Sequence, residues 1–155
     1  MSYRIEGLAR ERFAPLFGLS AAALAERGAV RVRADSEAGY PCRVSLDHAA
    51  PGESLILVNH VSHDAPTPYR TAFAILVRED AGEAAAYEGR LPPVLEARVL
   101  SLRAYDAGGM MRRALLAQPG EAEAAIEALL GDAEVESVHA HSAAYGCFLA
   151  RIGRA

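Results

Sequence analysis

The sequence predicts an α+β fold: a single compact domain on a mostly antiparallel sheet, with one clear helix and one or two short ones. Three observations carry this. Apolar and polar residues alternate with a period of two over many short stretches bounded by Gly, Pro and Asp, as half-buried strands do. Successive strands are joined by short loops, so sequence neighbours pair. Only one segment sustains a full helical period. A chain of 155 residues, 52% hydrophobic and 23% charged, is the size of one domain and can bury a core without disulfides or structural metal.

Residues 3–8 alternate weakly and predict a short edge strand, after which Pro15 limits any helix to a turn or two. Ser20 is an N-cap for a short helix with Leu24 inward and Gly28 as its stop. Residues 29–34 read as a strand with Val30 and Val32 opposite Arg31 and Arg33. Residues 39–46 read as another, its proline favouring an edge or first position, with Cys42 and Arg43 at its start. The run Leu-Ile-Leu-Val-Asn-His-Val at 55–61 is the most apolar in the chain and predicts a central strand. A loop carrying His63, Asp64, Tyr69 and Arg70 leads from it into 71–78, giving an antiparallel hairpin. Residues 79–93 are small, acidic and interrupted by Gly and Pro, as a surface loop with one helical turn would be.

Residues 99–105 form a strand with Leu100 and Leu102 on one side and Val99, Ser101, Arg103 and Tyr105 on the other, ending at Asp106 and two glycines. Residues 110–118 fit a strand better than a helix, with Met110 and Met111 as packing residues. Residues 121–130 are the best helix, with acids in the first turn, an Ile126/Leu129/Leu130 stripe and Gly131 as stop. About six strands are expected in all.

A β-hairpin over 135–152 organises the rest. With His141 near Cys147, Val138, Ala140, Phe148, Ala150 and Ile152 form an apolar face, and Ser137, His139, His141, Cys147, Leu149 and Arg151 the other. The alternative register pairs His141 with Leu149 and puts Gly146 at a positive-φ loop position. Either way the histidines and Cys147 share a side.

All sixteen basic residues are arginine, the net charge is −4 and the pI is near 5.7. No basic stripe exists to follow phosphates, which argues against a nucleic-acid partner. No apolar run approaches the ~20 residues that cross a bilayer, and no signal-peptide pattern opens the chain. A cytoplasmic protein with no membrane partner is expected. Two cysteines there are reduced thiols more often than a bridge, although a Cys42–Cys147 disulfide stays open. Composition does not fix the oligomeric state.

Three constellations carry chemistry. His139 and His141 project from one face of a strand, and with His63 or Cys147 they could ligate zinc or another divalent transition metal. A His-x-His pair is also a common accident of a half-exposed sheet. Cys147 beside His141 has the composition of a nucleophile and its base, with Cys42 beside Arg43 as a second candidate. The ordinary role of a free cysteine is a small buried thiol. Arg43, Arg70, Arg103 and Arg151, with Tyr69, Tyr105 and Asp106, fall at strand ends or loops, where guanidinium forks hold carboxylates or phosphates. Ion pairs with the chain's own twenty acids compete with that reading.

Taken together, Gly39-Tyr-Pro-Cys-Arg-Val-Ser-Leu46, Pro68-Tyr-Arg70, Leu102-Arg-Ala-Tyr-Asp106, Met110-Met111, His139-Ala-His-Ser-Ala143 and Gly146-Cys147 resemble the bacterial domain of unknown function family numbered 1203, over residues from about Tyr3 to Arg154. The family usually has asparagine where Ser142 stands and often phenylalanine where Tyr105 stands. The resemblance implies a compact bacterial domain and no particular reaction. The expectation is a pocket for a small anionic ligand, with or without a metal, where the His139/His141/Cys147 face meets the 63–70 loop, Arg43, Arg103 and Asp106. The alternatives are a cysteine-dependent enzyme and a non-catalytic assembly module.

Overall fold

The computed structural model describes residues 2–155. Nine strands form, namely β1 (Tyr3–Glu6), β2 (Val30–Arg33), β3 (Ser54–His63), β4 (Thr71–Arg78), β5 (Ala86–Glu88), β6 (Leu100–Tyr105), β7 (Met111–Ala117), β8 (Ser137–Ser142) and β9 (Phe148–Arg154). The helices are α1 (Ala21–Glu26), α2 (Pro93–Glu96) and α3 (Ala122–Leu130), with 3₁₀ turns at Arg10–Arg12 and Ala14–Leu16. Six strands make one sheet in the order β5-β1-β9-β8-β6-β7, and three make another in the order β2-β3-β4. Every pairing is antiparallel. The fold is α+β, as expected. Among the described residues no helix is long and apolar enough to cross a membrane.

Period-two patterning explains the larger sheet. Leu100, Leu102 and Ala104 of β6, Val138 and Ala140 of β8 and Ala150 and Ile152 of β9 are buried in one cluster with Ile126, Leu129 and Leu130 of α3. Each large aliphatic side chain so buried contributes about 1.5–3 kcal/mol. Ser20 caps α1 as its sequence implies, its Oγ accepting from the Ala23 N–H at 3.1 Å.

Several expectations change. β1 is not an edge strand, because β5, taken for surface loop, adds outside it. Val30 is 55% exposed, since β2 is the edge of the smaller sheet; the flanking Ala29 and Ala34 are buried instead. Both cysteines are free thiols.

Residues 39–46 are not a strand. A single bridge joins Pro41 to His48, and the segment folds on itself through Leu46 N–H to Cys42 C=O (2.9 Å), with Leu46 at φ 57°. Its backbone bonds run to distant partners, Leu8 N–H to Arg43 C=O (2.8 Å), Ala85 N–H to Val44 C=O (2.9 Å) and Arg43 N–H to Leu76 C=O (3.1 Å). Gly7 permits this approach, for a Cβ there would lie 2.0 Å from the Val44 carbonyl oxygen.

The β8–β9 hairpin follows the alternative register from Val138 to Ala140, with Gly146 at φ 76°, and departs from it at His141. Ala140 faces Ala150 but His141 faces Phe148, leaving Leu149 as the extra residue of a bulge. Leu149 therefore joins the core beneath α3, and Phe148 turns to the histidine side. The apolar and polar assignments of these two residues are exchanged.

Candidate functional site

The second face of the large sheet meets the small sheet along a seam of rings, and bulges decide which rings enter it. In a regular strand, residues three apart point to opposite faces. The β3–β4 register shifts between Val61 and His63, so His60 opposes Phe73 and His63 opposes Thr71. Phe73 and Thr71 share a face, so His60 and His63 do too, although three positions apart. The bulge at Leu149 likewise puts Phe148 and Arg151 on one face, opposite His141 and His139. Bulges that re-aim side chains in this way are common beside functional sites.

His63 stacks on Tyr105 with ring centroids 3.9 Å apart. His139 lies 5.4 Å from His63, 4.9 Å from Tyr105 and 5.4 Å from Phe148. His141 follows at 6.4 Å from His139 and 5.1 Å from Phe73. Arg103 reaches over Phe73, its guanidinium carbon 6.0 Å from the ring centroid, and its Nε donates to Ser101 Oγ.

Burial sets the protonation of this seam. His139 is 4% exposed and His141 0%. Desolvation pushes His139 down to about 3, assisted by His63, His141, Arg151 and Arg103, and pushes His141 down to about 4. Both imidazoles are neutral at pH 7. A carbonyl can only accept, so His141 Nδ1 donates to Gly146 C=O at 2.9 Å, and His63 Nε2 donates to Gly109 C=O at the same distance. The remaining His141 Nε2 is buried without a partner, as is His139 Nδ1. Burial also raises the Tyr105 phenol.

Two clefts open from the seam. One, about 390 Å³, is lined by Ser62, His63, Asp64, Asp106, Ser137, His139 and Arg151 with loop residues 107–109. The other, about 500 Å³, lies along β4 and is lined by Arg43, Arg98 and Cys147 with apolar walls of Pro41, Leu57, Phe73, Leu76 and Tyr145. Arg43 is 3% exposed and ties the 39–46 segment to the start of β9. Its Nε donates to Phe148 C=O (2.8 Å), its Nη1 to Pro41 C=O (2.7 Å) and its Nη2 to Cys147 Sγ (3.2 Å). Desolvation lowers its pKa.

The residues expected from the sequence thus separate. His63, His139 and Asp106 line the first cleft, Arg43 and Cys147 the second, while His141 and Arg103 lie within the seam between them. Tyr69 and Arg70 line neither, and Arg70 pairs with Asp64 at 2.9 Å on the exposed rim. The Cys147–His141 couple is not made, since the sulfur's partner is Arg43 and His141 is turned to Gly146. His63, His139 and His141 do not converge on one point, and among the described residues no three His, Cys, Asp or Glu side chains are grouped to hold a metal. The sequence reading missed Arg98, Ser62 and Ser137. Ser137 was separable by its face alone, whereas Arg98 resembled fifteen other arginines and Ser62 owes its place to a bulge.

Among proteins already known, the family model described as protein of unknown function, DUF1203, matches residues 39–154. No curated protein matches the chain, and no solved structure does. The matched span holds Arg43, Cys147, Arg98 and the whole ring seam from β3 to β9, and with three quarters of its residues aligned, the chain belongs to the DUF1203 family.

Proposed function

We propose that the protein binds a small organic anion, a carboxylate or similar head on an apolar body, in the cleft between Arg43 and Arg98. The observation that carries this reading is a buried guanidinium without a counter-charge. Buried charges are normally paired, yet the partners of Arg43 are two carbonyls and a thiol sulfur, and among the described residues neither Arg43 nor Arg98 makes a salt bridge. Arg98 donates through Nη2 to Ala38 C=O, and its Nε is buried with no partner. A carboxylate accepting from this fork supplies the missing charge. Leu57, Phe73 and Leu76 offer an apolar wall, and the cleft volume of about 500 Å³ suits a small ligand.

Calorimetric titration with short alkyl and aryl carboxylates, beside their uncharged amides, tests this. The carboxylates are expected to bind at least tenfold more tightly, and Arg98→Gln, at a half-exposed position, to abolish the difference. Equal binding of acid and amide, or an unaffected Arg98→Gln variant, overturns the reading. The Arg43–Cys147 contact favours a second reading, in which the cleft uses Cys147, whose sulfur accepts from the guanidinium, as a nucleophile. Iodoacetamide alkylation of Cys147 at pH 6.5 no faster than that of free cysteine ends it.

A further inference from the structure

The cleft at the other end of the seam is polar, and its buried groups are incompletely bonded. His139 is 4% exposed and lines the cleft with Nδ1 unpartnered, and Ser62 Oγ, beside it in the lining, is also buried without a partner. Unsatisfied buried groups are rare, and two in one cleft point to something that bonds there. The strand registers describe its surroundings. Arg103, His139 and Arg151 stand directly opposite one another on β6, β8 and β9, so one imidazole is flanked by two guanidiniums. Continuing across β9, Arg151 opposes Glu6 of β1, but Glu6 is bonded to Arg4 at 2.6 Å. Arg151 itself makes no ion pair among the described residues.

The opposite lip is acidic. Asp106 Oδ1 accepts from the Gly108 and Met110 N–H groups at 3.0 Å each, which fixes the carboxylate and leaves Oδ2 free of bonds among the described residues. Asp64 is the second acid there and is held by Arg70. A cleft with a cationic wall and an anionic lip disfavours a multiply charged anion, which the acids repel, and a simple cation, which Arg151 repels. It complements a small molecule carrying both charges.

We infer that this cleft is a second ligand site, for a small zwitterion of the α-amino-acid class, with the carboxylate at Arg151, His139 and the Ser62 and Ser137 hydroxyls and the ammonium at Asp106. It is separate from the organic-anion cleft and does not depend on that reading.

The test is calorimetric titration of the whole chain with each of the twenty L-amino acids, followed by the N-acetyl and C-amide forms of the tightest. The His139 ring resonances are followed by NMR. At least one free amino acid is expected to bind and shift the His139 resonances, and each blocked form to bind at least tenfold more weakly. Asp106→Asn, whose side-chain oxygen can still take both loop bonds, removes the penalty for N-acetylation only. Arg151→Gln, at an exposed position, removes the penalty for the amide only. Arg98→Gln in the other cleft leaves all of this unchanged. The inference is overturned if no amino acid moves the His139 resonances, if blocked and free forms bind alike, or if Arg98→Gln abolishes binding while the Asp106 and Arg151 variants retain it.

Discussion

His141 has no exposed surface, donates from one nitrogen and leaves the other without a partner. Such a residue makes stability depend on pH. In the unfolded chain it titrates near ~6.5, whereas in the fold burial holds it to about 4 and its neighbour His139 to about 3. Both contributions are fully present above the unfolded value and are lost as pH falls from there towards the folded values, because only the unfolded chain takes up the protons. Each histidine costs about 1.4 kcal/mol per pH unit in that window, so about 2 kcal/mol each is expected to be lost by pH 5. Urea unfolding at pH 7.5, 6 and 5 measures this, and His141→Phe should flatten the slope, by less than half because burial lowers His48 and His60 as well. An unchanged slope in that variant refutes the account. Period-two patterning made the shared face of His139 and His141 legible in the sequence. It could not reveal that Phe148 rather than Leu149 faces them, because a bulge has no residue signature of its own here.

At the scale of elements, the amino-acid cleft is held open by two loops bound at Gly109. The Gly109 carbonyl accepts from His63 Nε2 (2.9 Å) and from Thr67 Oγ1 (3.1 Å). The residue has φ +84°, and a Cβ there would stand 2.4 Å from the Ala65 Cβ. Gly109→Ala therefore combines an unfavourable backbone region with a collision, and a destabilisation of at least ~2 kcal/mol is expected. Chemical denaturation reads it, and the His63–Tyr105 stack should loosen with it. The Asp106-Ala-Gly-Gly turn was visible as a turn, but not its packing against residues 63–67, which depends on contacts far apart in sequence. Residues 39–46 misled for the same reason. Their alternation imitates a strand, while their backbone groups are satisfied by Leu8, Leu76 and Ala85 instead of a neighbouring ladder.

For the whole molecule, α+β class and antiparallel pairing followed from alternation and short connections, whereas the division into two sheets did not. The sheets are joined face to face by the ring seam, and no local pattern encodes which strand faces stack. The family match begins at residue 39, yet β1 lies before it and occupies an interior place between β5 and β9. A chain beginning at residue 39 would leave β5 without its partner strand β1 and the β9 edge bare, with α1, β2 and Phe13 also missing. Such a fragment is expected to lose cooperative unfolding and to aggregate, as seen by circular dichroism and light scattering. A cooperative, monodisperse fragment contradicts the role given to β1.

The pairing of β1 with β9, Tyr3 opposite Arg154 and Glu6 opposite Arg151, also orders events in time. During synthesis the β2–β3–β4 sheet can assemble from sequence neighbours as soon as it clears the ribosome. The larger sheet must wait, because its interior strand β1 emerges first and its partner β9 after all the other strands. Closing that long loop makes the pairing slow. Until residue 154 has emerged, β1 can pair with β5 alone and keeps its other edge open beside a formed small sheet, and the seam that lines both clefts is among the last parts of the molecule to exist.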